Sequence, residues 1–164
     1  MYVYVQLSGL SGRPHIALQG ILTTQDTKKL RLHLKFLVGD YYHAERLALD
    51  QPHLSPACKL CLAPIDSTEH VLGACTATAE CRHKILPELL NTVAAVQPMS
   101  WILKKPTTAQ LVQFILDCTS INLEEQYRVP AHNPRVQDIF KISRDWCFLI
   151  SNERLRQMKK LSNP

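Results

Sequence analysis

Glycine is scarce in this chain, at five of 164 residues, and none of the five stands in a G-x-G-x-x-G or G-x-x-x-x-G-K-[ST] arrangement. Both motifs need glycine where backbone approaches phosphate, so dinucleotide binding and nucleotide hydrolysis of the Walker type have no support. No stretch approaches about 18 consecutive apolar residues, so no transmembrane helix is expected. The opening residues, Met1-Tyr2-Val3-Tyr4-Val5, have neither a basic leader nor a long apolar run, so no secretory signal is expected. Charge is also modest: 20 % of residues are charged against 46 % apolar. That balance predicts a folded domain with a core rather than a disordered tail.

Cysteine, by contrast, is well represented: Cys58, Cys61, Cys75, Cys81, Cys118 and Cys147. An even count fits a disulfide framework. Without a secretory signal, however, the expectation is a reducing intracellular compartment, cytoplasmic or nuclear, with thiols free or on metal. Four residues form a pattern, Cys58-x2-Cys61-x8-His70-x4-Cys75. Zinc prefers thiolate and imidazole ligands in a tetrahedron. Two residues between Cys58 and Cys61 allow a tight turn that aims both sulfurs at one point, and the x8 loop returns His70 and Cys75 to it. Four protein ligands leave no position for water, which predicts one structural Zn2+ rather than a catalytic one. Cys81 or His83 in place of one ligand is the competing set, and scattered buried thiols with a surface histidine the plainer one.

The rest reads as helix. Residues 26–38 carry both a strand alternation (Leu30, Leu32, Leu34, Phe36) and a helical stripe (Leu30, Leu34, Leu37, Val38). Asp26 as N-cap and Gly39 just past the end favour helix. A second short helix is predicted over 41–49. Pro56 and Pro64 keep the metal segment out of helix. Thr76 is read as the N-cap of a helix to about 85, and Pro87 as the start of another to about 96. Thr107 and Gln110 have capping-box spacing, with Leu111, Phe114, Ile115 and Cys118 as one apolar face. A loop over 119–132 precedes a long helix capped by Asn133-Pro134 and running to about 160. On it Val136, Ile139, Phe140, Ser143, Trp146, Cys147 and Ile150 share one face. Lys141, Arg144, Arg156 and Lys159 fall opposite, mixed with Asp138 and Asp145; Phe148 and Leu155 lie off the stripe. The predicted class is mostly α, a small helical domain around a single CCHC zinc knuckle. Three stretches are expected: an irregular segment over 1–25, a zinc-binding region over 26–100, and a C-terminal helical region over 101–164 packing on it.

The run Leu30-Arg31-Leu32-His33-Leu34-Lys35-Phe36-Leu37-Val38-Gly39-Asp40-Tyr41, then Cys58-x2-Cys61, then Thr68-Glu69-His70-Val71-Leu72 and Cys75, resembles the zinc-binding tail of reverse transcriptases from non-long-terminal-repeat retrotransposons. This chain has Leu62 where that family often has glycine and Thr76 where it often has proline, and its glutamate directly adjoins the histidine. The resemblance implies a zinc-binding tail that helps to hold RNA or single-stranded DNA, and a polymerase domain as an absent partner. The family's polymerase uses adjacent aspartates, and no two aspartates adjoin in this chain; no enzymatic activity is expected.

Nucleic-acid contact requires cations that displace counterions from phosphates. Lys28, Lys29, Arg31 and Lys35 precede the metal loop, Lys59 lies inside it, and Arg82 and Lys84 follow; Tyr41 and Tyr42 are candidates for stacking on bases. A net charge of +5, from 19 basic and 14 acidic residues, permits such contact without requiring it. The rival expectations are a zinc-stapled protein-interaction or structural appendage, and a transposon-derived fragment with no function of its own. A thiol hydrolase pairing Cys147 with His132, or Cys118 with His83, has no local signature.

Overall fold

Every regular element among residues 24–96 and 104–162, the part of the chain described by a computed structural model, is helical. The order is α1 (Thr24–Leu37), α2 (Ala44–Asp50), a π-helical turn (His70–Ala74), a 3-10 turn (Thr76–Thr78), α3 (Ala79–Ala94), α4 (Thr108–Leu116) and α5 (Val136–Ser162). The mostly α class is as expected. Most of the expected irregular segment, residues 1–23, lies outside the described residues.

In α1 the helical reading prevails because Leu30, His33, Phe36 and Leu37 are the buried positions, a three-to-four spacing. His33 had disguised the stripe. It is fully buried, and its Nε2 lies 2.8 Å from the carbonyl of Leu116 at the end of α4. A carbonyl only accepts, so Nε2 carries the proton. Val38, expected on the buried stripe, is exposed. Asp26 lies in the first turn rather than at the cap, where a carboxylate still favours the helix dipole. The C-terminus closes as a Schellman motif: Gly39 N–H donates to Phe36 O (3.2 Å) and Asp40 N–H to Lys35 O (2.7 Å). Gly39 takes φ +74°, which glycine adopts without steric cost.

The second helix starts later than expected, because His43 caps it: its Nδ1 accepts the amide of Arg46 at 3.2 Å. The third differs more. α3 is one helix that passes through Pro87, and Thr76 belongs to the preceding 3-10 turn. Proline in a helix interior costs about 3 kcal/mol. Ile85, Leu89 and Val93 are buried along one face on both sides of it, and each such side chain contributes about 1.5–3 kcal/mol. Pro87 is exposed. Breaking the helix there would forfeit more burial than the proline costs.

The predicted capping box on α4 is present in both directions, Gln110 N–H to Thr107 Oγ1 (3.2 Å) and Thr107 N–H to Gln110 Oε1 (2.8 Å). The 27-residue α5 is the spine. It packs most extensively on α3 and α1, and also meets α4 and both short turns. All seven residues of its predicted apolar face are buried, and so are Ile142, Arg144, Ser151 and Arg154. Arg144 therefore does not lie on a solvated face; neighbours on two sides of α5 bury a wider arc than one stripe. One apolar cluster runs from Leu30 through Leu72, Leu89 and Ile115 to Ile150.

Candidate metal centre

The local chain explains how the four predicted ligands meet. After Pro56 the backbone folds on itself. Cys58 N–H donates to Ala63 O (2.9 Å) and Leu62 N–H to Cys58 O (2.9 Å), so Cys58 and Cys61 sit on one tight turn. Leu62 closes that turn at φ +62°, in the left-handed region that L side chains adopt at a cost. Its side chain is 83 % exposed. The second pair is set by a capped turn. The hydroxyl of Ser67 accepts the amide of His70 at 3.2 Å. The π-turn is then closed by Cys75 N–H donating to His70 O at 2.7 Å. This wide turn is why four intervening residues bring His70 and Cys75 side by side.

The ligand atoms of Cys58, Cys61, His70 and Cys75 all lie within 4.8 Å of one another. The individual spacings are 3.9 Å from Cys58 Sγ to Cys75 Sγ, 3.7 Å from Cys75 Sγ to Cys61 Sγ, and 3.2 Å from Cys61 Sγ to His70 Nε2. A disulfide requires about 2.05 Å, and all six thiols are free among the described residues. Zinc bound at about 2.3 Å to each sulfur places tetrahedral sulfurs about 3.8 Å apart. The Cys58–Cys75 and Cys75–Cys61 separations match that edge, and all four ligand atoms lie close enough to share one ion. Cys81 and His83 fall outside it, so neither replaces a predicted ligand.

The thiols are held unequally. Burial works to raise Cys61, but hydrogen bonds with the Ala63 backbone, the Cys58 and Cys75 thiols and the Thr76 backbone outweigh it and leave the group below its ordinary value. Cys75 is pushed up to about 11, first by burial, with the neighbouring Cys58 and Cys61 adding to the rise against a backbone hydrogen bond from Ala77. His70 is held below its ordinary value, mainly by burial. A neutral imidazole is the form that binds metal.

Around the cluster stands a layer of buried polar groups that had given no signal in the sequence. The guanidinium of Arg154 on α5 reaches Cys58 Sγ at 3.8 Å and pairs with the carboxylate of Asp66. Asp66 Oδ2 also accepts the amide of Ala44 at the start of α2 (2.8 Å), and Asp66 N–H donates to Pro56 O (2.8 Å). His43 lies 3.3 Å from the hydroxyl of Thr68 through Nε2; because its Nδ1 accepts the Arg46 amide, Nε2 is the protonated nitrogen. From α5 two more side chains reach the ligand segment: Trp146 Nε1–H donates to Leu72 O (3.0 Å) and Gln157 Nε2–H to Ala77 O (2.7 Å). Gly73 allows this segment to press on α4, since a Cβ there would lie 2.6 Å from Thr108 Cγ2 and 2.9 Å from Val112 Cγ2.

The seven predicted cations divide. Lys28, Arg31, Lys35 and Lys59 are exposed, and no ion pair is seen for them among the described residues. Lys29 is paired with Asp145 at 2.5 Å. Arg82 donates to Cys75 O (2.6 Å) and Thr78 Oγ1 (2.9 Å). Lys84 meets Glu80 at 2.9 Å on the open surface of α3. Tyr41 stacks on Phe36 with ring centroids 3.9 Å apart, whereas Tyr42 is exposed. Cys118 and Cys147 are in the core, and burial pushes both thiols upward; His83 and His132 are exposed. No described helix is long and apolar enough to cross a membrane.

No known family, curated protein or solved structure matches this chain. The centre is thus defined by its own geometry: a Cys/His cluster able to hold a metal ion, in a small helical domain.

Proposed function

We propose that this chain is a zinc-stapled, non-catalytic module of intracellular origin that binds RNA or single-stranded DNA. The observation that carries the zinc half is the close convergence of Cys58, Cys61, His70 and Cys75, whose ligand set of three thiolates and one imidazole suits zinc. The nucleic-acid half is supported by α1. Lys28, Arg31 and Lys35 fall within an arc of about 60° at 100° per residue, opposite the buried face of Leu30, His33, Phe36 and Leu37. They form a basic stripe about 10 Å long at 1.5 Å per residue. The order of this helix, the Cys-x2-Cys turn and the Glu69-His70 segment supports an origin as the tail of a retrotransposon reverse transcriptase, with the polymerase domain as partner.

Fluorescence anisotropy of the zinc-loaded chain with a labelled mixed-sequence single-stranded RNA tests the reading. Binding should weaken with salt at a log-log slope of about −0.7 per phosphate contact. Joint replacement of Lys28, Arg31 and Lys35 by alanine should flatten that slope by about 2. No binding to RNA or single-stranded DNA at low salt would sink it. The second reading, a zinc-stapled structural or protein-interaction appendage, is favoured by the use of Lys29 and Arg82 in internal contacts.

A further inference from the structure

We propose that Arg154 is the counter-charge of the metal centre, so that helix α5 sets how tightly the metal is held. This rests on the zinc reading above. A divalent ion with three thiolates and a neutral imidazole carries one negative charge in excess, and two of the thiolate residues, Cys58 and Cys75, are fully buried. A buried charge is costly unless paired. Arg154 is the buried cation beside it, 7 % exposed, with Nη1 at 3.8 Å from Cys58 Sγ across 96 residues of chain. Its other arm meets Asp66, which is fully buried. The planar fork of arginine serves both partners at once, as a lysine ammonium does not. Arg82, which reaches the cluster from α3, is only half-buried, and its N–H groups go to Cys75 O and Thr78 Oγ1 rather than to a sulfur.

The alternative is that Arg154 serves only to neutralise Asp66, with the sulfur a bystander. The two roles differ in sign. Arg154→Met removes a positive charge from the side of an anionic centre and must weaken metal binding. Asp66→Asn breaks the same ion pair but removes a negative charge, and so must leave binding unchanged or tighter. If the pair were only structural, the two variants would act alike.

The experiment is zinc affinity by chelator competition, with the rate of zinc release from the loaded full-length chain, for the wild type, Arg154→Met, Arg154→Lys and Asp66→Asn. The wild type is measured first; failure to take up zinc there overturns the metal reading and this one with it. Given a zinc-loaded wild type, Arg154→Met should weaken binding about tenfold to a hundredfold, the range for groups that support metal ligands from outside. Arg154→Lys, which keeps the charge without the fork, should fall between them. Asp66→Asn should bind at least as tightly as the wild type. Equal weakening by Arg154→Met and Asp66→Asn, or wild-type affinity in Arg154→Met, would overturn the proposal. Should Arg154→Met not fold, the release rates of the loaded Arg154→Lys and Asp66→Asn decide it. Faster release in the first and not the second supports the counter-charge role, and any other order refutes it.

Discussion

The indole N–H of Trp146 donates to the carbonyl of Leu72 at 3.0 Å, buried, across 74 residues of chain. Leu72 lies at the middle of the turn that carries His70 and Cys75, so one hydrogen bond fastens the ligand segment to the spine of the domain. Trp146→Phe keeps most of the apolar bulk and leaves that carbonyl unsatisfied. The expected loss is about 1–3 kcal/mol, read by urea unfolding of the zinc-loaded protein; wild-type stability in the variant would mean that water replaces the indole.

Removing a ligand should act on metal and fold together. Native mass spectrometry should find one bound zinc in the wild type and none in Cys61→Ser or His70→Ala. Both variants should also lower the thermal midpoint to that of the metal-free protein, since binding energy at such a site is folding energy. Retention of metal by both variants would show that the ligand set is wrong.

The metal-free protein should be sensitive to alkali. Cys75 is raised from 9.0 to about 11 in the folded chain, first by burial. The folded state therefore favours the protonated thiol. Its contribution is fully present below the unfolded value, near 9.0, and is lost as pH rises through about 11. Chemical denaturation of the metal-free chain at stepped pH should show stability falling across that window. Zinc replaces the proton on Cys75, so the loaded protein should lose less across this window, keeping only the part due to the core thiols of Cys118 and Cys147, which burial also raises.

Gly73→Ala tests the contact between the π-turn and α4. Its Cβ would meet Thr108 Cγ2 at 2.6 Å and Val112 Cγ2 at 2.9 Å, and overpacking of this kind costs about 1–3 kcal/mol. Adding Thr108→Ser removes the nearer methyl group and should recover part of the loss in a double-mutant cycle. Additive losses would place the strain elsewhere.

Leu62→Gly should be mildly stabilising. The left-handed conformation costs a non-glycine residue about 1–2 kcal/mol, and glycine's extra unfolded-state entropy returns about 0.5–1 kcal/mol of that. The side chain is 83 % exposed, so little burial is lost. Thermal midpoints of the loaded proteins should rise for Leu62→Gly and fall for Leu62→Val, whose branched Cβ suits this conformation worse.

That Cys58, Cys61, His70 and Cys75 come together was legible because metal chemistry constrains both residue type and spacing. Local signals with a single physical meaning were legible too: the Thr107–Gln110 box and Gly39 past the end of α1. Pro87 misled because proline's local preference lost to burial contributed by α5, which local sequence does not contain. Thr76 misled because it opens the short 3-10 turn that leads into α3, so the helix itself begins three residues later. His33, Asp66, Arg144 and Arg154 were illegible for a shared reason. Each is a polar residue buried at a place fixed by distant chain, and polar residues read in isolation belong to the surface.

The placement of α5 sets the order in which the domain is completed on the ribosome. The cysteines of the metal turn are all translated before residue 76, whereas Trp146, Arg154 and Gln157 come from the last 27-residue helix. At about 5–20 residues per second, the metal turn waits several seconds for the side chains that clasp it. Until then its thiols stand without the helix that shelters them.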